Sequence, residues 1–149
     1  MGRTKTRRYT LDMAKEQLRF LKLFAHQHDY YASTVVRALI YLLETDADVQ
    51  YAVIEEIYPV DRDPLSFIVD ISSKDRNVSR YTIDLHHEQS NYLSFITINQ
   101  GISGSVILRA MVYLLERNVN LGECSFQDLV MDLLSDDDDE ADDESEVDE

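Results

Sequence analysis

The sequence predicts a mainly α-helical fold carrying a short antiparallel β-ribbon, and three observations predict it. The chain of 149 residues matches itself when shifted by 72 positions. Each copy opens on a segment whose apolar residues alternate with polar ones. Each copy then continues into two stretches whose apolar residues recur at helical spacing. Internal repetition is the first pattern to look for, because it sets the organisation of the whole fold.

Arg8-Tyr9-Thr10-Leu11-Asp12-Met13 falls on Arg80-Tyr81-Thr82-Ile83-Asp84-Leu85, Glu16-Gln17 on Glu88-Gln89, and Ser33 on Ser105. The eight residues from Arg37 to Glu44 fall on those from Arg109 to Glu116. Residues 8–44 hold 14 identities over 37 ungapped positions.

In the opening segment Tyr9, Leu11 and Met13 share one side, while Arg8, Thr10 and Asp12 share the other. This period of two belongs to a half-buried strand. Residues 14–27 then place Leu18, Leu21, Phe24 and Ala25 on one helical face. Residues 29–32 break that helix. Residues 33–44 form a second, with Val36, Leu39, Ile40 and Leu43 on its buried side. The second copy predicts helices over 86–99 and 103–117. Gly101 suits the residue just past a helix end, and Ser103 or Ser105 suits the cap of the next. A third short helix is expected in each copy, with residues 52–58 aligned on 124–130. There Ser125-Phe126-Gln127-Asp128 resembles a capping box.

These elements divide the chain into a first unit with a basic arm (1–58), a linker (59–79), a second unit (80–134) and an acidic tail (135–149). The linker contains Leu65-Ser66-Phe67-Ile68-Val69-Asp70-Ile71, read as an extra strand or an ordered connection. The tail is too acidic to collapse and is expected to be disordered.

Charge follows the same division. The formal net charge is −15, but eleven acids lie in residues 136–149, leaving −4 over the first 135. Residues 1–24 hold seven bases (Arg3, Lys5, Arg7, Arg8, Lys15, Arg19, Lys22) against Asp12 and Glu16. The lone Cys124 provides neither an internal disulfide nor a cysteine-based zinc site, which suits a reducing, cytoplasmic setting. The apolar run at 38–43 is too short to span a bilayer, so no membrane association is expected. The N-terminus lacks the apolar core of a secretory signal. Four glycines and two prolines argue against a fibrous or linker-rich chain.

A strand, a helix, a turn reading Gly101-Ile102-Ser103-Gly104-Ser105 and an apolar second helix resemble the ribbon-helix-helix family of DNA-binding proteins, which includes Arc-, MetJ- and CopG-type repressors. The second copy matches best. The first departs at its turn, Asp29-Tyr30-Tyr31-Ala32-Ser33. The resemblance covers about residues 8–45 and 80–118, and the two-copy form is similar to TraY-type relaxosome proteins. It implies two tandem ribbon-helix-helix units whose strands pair antiparallel, building within one chain what the family usually builds as a homodimer. Pairing between chains into a dimer or higher oligomer is the alternative.

The resemblance further implies a double-stranded DNA-binding protein, such as a small transcriptional repressor, whose ribbon enters the major groove. A two-stranded ribbon fits that groove, where base edges are distinguishable. Arg8, Thr10, Asp12, Arg80, Thr82 and Asp84 would read bases. Arginine grips guanine with two bonds, threonine meets a thymine methyl, and aspartate accepts from cytosine. Ser33, Ser103 and Ser105, at the start of each second helix, would hold phosphate with the backbone N–H groups. Arg3, Lys5 and Arg7 would follow the phosphate backbone as an arm. Neither cofactor nor catalysis is expected.

Several motifs have plainer readings. Arg37 and Arg109 stand seven residues before Glu44 and Glu116, as structural ion pairs would. Adjacent His86 and His87 point in different directions, unlike a metal pair. Gly101 to Gly104 has the spacing of a nucleic-acid-clamping GxxG loop but reads better as a helix-linking turn. Asn77-Val78-Ser79 is a glycosylation signal only in a secreted chain. Nothing places Glu55 or Glu56 beside a nucleophile. The tail would solubilise the chain, bind its own basic arm in competition with DNA, or dock on a basic protein. The rival function is a protein-interaction module of the antitoxin or DNA-mimic kind. A relaxosome or partition accessory role is a further alternative.

Overall fold

The computed structural model describes residues 6–58 and 78–140. The linker strand expected at 65–71, the arm residues Arg3 and Lys5, and the tail beyond 140 lie outside the described residues.

Two strands, β1 (Thr6–Ala14) and β2 (Val78–His86), pair antiparallel over nine residues each. Val78 and Ser79, expected in the linker, belong to β2. A two-stranded ribbon is marginal alone and needs an apolar layer beneath it. The inward residues Leu11, Met13, Ile83 and Leu85 supply that layer and are buried. Each such side chain contributes roughly 1.5–3 kcal/mol on leaving water.

Beneath the ribbon run α1 (Lys15–Gln27), α2 (Ala32–Thr45) and α3 (Ala47–Ile57), and after β2 come α4 (His87–Gln100) and α5 (Gly104–Arg117). A small hairpin of β3 (Asn120–Leu121) with β4 (Cys124–Ser125) precedes α6 (Phe126–Glu140). Asp29 ends α1 at φ 65°, a conformation that aspartate tolerates better than most residues. Gly101 ends α4 at φ 73°. Asp46 Oδ1 accepts from the Asp48 and Val49 N–H groups and starts α3 earlier than the apolar pattern indicated. Ser103 Oγ accepts from the Val106 N–H, and Ser125 Oγ from the Asp128 N–H, capping α5 and α6 as expected.

The described residues share one core, and the halves of the chain exchange elements to build it. Helix α3 packs on α5, while α6 packs on α2. Each third helix thus covers the second helix of the other half. The buried stripe of α3 is Val49, Val53 and Ile57, and that of α6 is Phe126, Val130 and Leu134. These stripes match at an offset of 77 rather than 72, which corrects the expected alignment of 52–58 on 124–130. The β3–β4 hairpin precedes α6 where α2 and α3 are joined by Asp46 alone, so the ungapped match cannot continue. Helix α6 also continues to Glu140, past the expected start of the tail at 135. Its stripe holds the helix to the core as far as Leu134, and the helical turns run on from there. Among the described residues no single helix is long and apolar enough to cross a membrane.

Candidate nucleic-acid interface

The ribbon's outward face is built from alternate residues of both strands. Thr10 lies opposite Thr82, Arg8 opposite Asp84, and Asp12 opposite Arg80. Thr10 and Thr82 are equivalent positions of the sequence repeat, and the two Arg–Asp pairs are equivalent to each other, reflected about the Thr10–Thr82 midpoint. The two threonine hydroxyls are 3.1 Å apart. On either side, Arg8 Nε stands 3.7 Å from Asp84 Oδ1, and Arg80 Nε 3.5 Å from Asp12 Oδ1. The arginine side chains remain 75% and 64% exposed, so these are surface ion pairs worth about 0–1 kcal/mol each. A bidentate contact with a base is worth about 1–3 kcal/mol, enough to draw either guanidinium off its carboxylate.

The ribbon is fixed to the helices by polar side chains crossing between the halves. Arg109 Nη1 on α5 donates to the Asp12 carbonyl on β1 at 2.5 Å, and Arg37 Nη1 on α2 donates to the Asp84 carbonyl on β2 at 2.9 Å. Gln17 Nε2 donates to the Arg109 carbonyl at 2.8 Å, and Gln89 Nε2 to the Arg37 carbonyl at 2.9 Å. Arg37 and Arg109 were expected to pair with Glu44 and Glu116. Each instead donates to the opposite half's strand, because the exchanged packing brings that strand's carbonyls over both helices. Arg109 is 3% exposed. Burial pushes its guanidinium down to about 10, with the Asp12 charge acting the other way, so it stays protonated at neutral pH.

The serines divide. Ser103 caps α5 and stands at the helix start, where backbone N–H groups favour anions. Ser33 is 1% exposed, so its expected phosphate contact is withdrawn: the side chain lies in the packed interior. Ser105 Oγ accepts from the Asp12 N–H at 3.0 Å, so its hydroxyl is used to hold β1 onto α5. Gly104 beside it allows close packing. A Cβ there would fall on the Tyr9 hydroxyl. Tyr9 is half-buried on the underside of β1, and burial pushes its phenol pKa up. Helix α2 starts from Tyr31 with no side-chain cap. Arg7 is part of β1 rather than a free arm, and its Nη2 donates to His87 Nε2 at 2.8 Å at the ribbon's end.

The alternating pattern marks the outward residues, but it does not mark Arg37 and Arg109 as the ribbon's supports, or Gln17 and Gln89 as the bonds that join α1 to α5 and α4 to α2. The available signal was identity between copies at polar positions on otherwise apolar helix faces. Comparison with protein-family models, curated proteins and solved structures finds no match to this chain.

Proposed function

We propose that the chain is a sequence-selective double-stranded DNA-binding protein. It is made of two tandem ribbon-helix-helix units and acts as a small transcriptional repressor. The observation that carries this reading is the outward ribbon face, where both strands present the same Arg-Thr-Asp set about the Thr10–Thr82 midpoint. Such a face complements a duplex whose two strands offer the same base edges, a palindrome. Antiparallel pairing within the chain supports intramolecular assembly of the ribbon. Phosphate contacts then fall to Arg7, to the start of α5 with Ser103, and to Arg3 and Lys5.

Selection of bound duplexes from a random pool tests the proposal. A two-fold symmetric motif is expected among the enriched sequences. A pool that stays random after repeated rounds contradicts it.

A second reading draws on one observation. Asp12 and Asp84 neutralise Arg8 and Arg80, so these outward pairs carry no net charge. That suits a protein-interaction module whose acidic segment engages a basic partner. Capture of a basic protein together with an unenriched DNA pool favours this reading. An accessory role in processing plasmid DNA would instead show as bending of the selected duplex.

A further inference from the structure

Helix α1 carries charge that its packing does not require. Lys15, Arg19, Lys22 and His26 recur at intervals of four, three and four residues, so they form one exposed stripe along the helix. Their equivalents on α4, 72 residues later, are His87, Asn91, Ser94 and Ile98. The same place in the fold therefore does without the bases. No ion pair links Lys15, Arg19 or Lys22 to another of the described residues. With Leu18, Leu23 and Ser79 the three bases line a shallow groove that combines positive charge with apolar side chains.

We propose that this groove is the docking site for the chain's own acidic C-terminal segment, residues 141–149. Charge complementarity selects the occupant, since those nine residues hold six acids and no base. Helix α6 packs on α2, α2 packs on α1, and the nine residues after Glu140 span up to about 30 Å when extended. Val147 supplies an apolar side chain to meet the exposed Leu23. Docking masks the basic stripe of α1 from other polyanions, and this proposal stands whether or not the ribbon binds DNA.

Carbodiimide crosslinking of the full chain tests it, because the bond formed joins a lysine to a carboxylate in contact. The chain has four lysines, Lys5, Lys15, Lys22 and Lys74, so peptide mapping identifies the site. The expected links join Lys15 and Lys22 to carboxylates of 141–149 within one chain, in a fraction that does not change on dilution. They should fall severalfold in about 1 M salt, where charges are screened beyond about 3 Å. They should also fall severalfold in Arg19→Glu, an exposed change that keeps both lysines. Tail links at Lys5 or Lys74 alone, links between chains only, links indifferent to Arg19→Glu, or no tail links would each overturn the proposal.

Discussion

Thr10 and Thr82 meet hydroxyl to hydroxyl at 3.1 Å across the ribbon, although 72 residues separate them. That separation is the repeat length, so each residue faces its own counterpart. The contacts on either side repeat in mirrored order, from the two Arg–Asp pairs to the two Gln–backbone bonds. A single chain thereby presents a face with two-fold character, and the functional proposal rests on that face.

The buried guanidinium of Arg109 makes the first prediction. Arg109→Met should lower unfolding free energy by about 1–3 kcal/mol, because the Asp12 carbonyl loses a charged donor in a buried setting. Arg37→Met should cost less, since Arg37 is more exposed and its bond is at the surface. Urea denaturation of both variants checks the order. Equal losses would contradict the assigned roles.

Gly104 makes the second. Gly104→Ala sets a methyl group against the Tyr9 hydroxyl and should destabilise by about 1–3 kcal/mol through overpacking. Adding Tyr9→Phe removes the nearest atom and should restore part of the loss. Thermal unfolding of the single and double variants reads this out. A double variant no more stable than Gly104→Ala alone would contradict the contact.

Much of the fold was legible because the repeat sets equivalent positions side by side. The alternation in Tyr9-Thr10-Leu11-Asp12-Met13 marked both faces of the ribbon, and the stripe of Leu39, Ile40 and Leu43 marked α2. Ser33 and Ser105 misled. A serine near a helix start suggests a cap or an anion contact, yet exchange between the halves buries Ser33 and turns Ser105 toward the Asp12 N–H. Which polar residues cross to the other half depends on tertiary packing, and helical period carries no information about it. The β3–β4 hairpin was missed because strands of two residues are too short to show alternation.

Glu44 makes the third prediction, one of pH. Burial, and then the Glu88 charge, raise its carboxyl pKa above the ordinary value. A carboxyl raised on folding binds protons more tightly in the native state, so this group's contribution to stability falls as pH rises from the unfolded pKa through the folded one. Glu44→Gln should therefore raise the melting temperature at neutral pH. The gain should vanish in acid below the ordinary carboxylate range. A gain independent of pH would contradict the cause assigned.

The outward arginines make the fourth. Arg80→Ala should weaken binding to a selected duplex by about 1–3 kcal/mol and relax base preference, whereas loss of a phosphate contact would weaken all sequences alike. Arg8→Ala should behave in the same way, because the ribbon presents the two residues equivalently. Electrophoretic shift against selected and scrambled duplexes separates the two effects.

Dimethyl sulfate footprinting on the selected duplex tests most directly whether the ribbon reads the major groove, since the reagent marks guanine N7 there and adenine N3 in the minor groove. Entry of the ribbon into the major groove predicts guanine N7 protection on both sides of the motif's centre, with Arg8→Ala exposing one side and Arg80→Ala the other. Protection confined to adenine N3, or guanine protection unchanged in both variants, would contradict it.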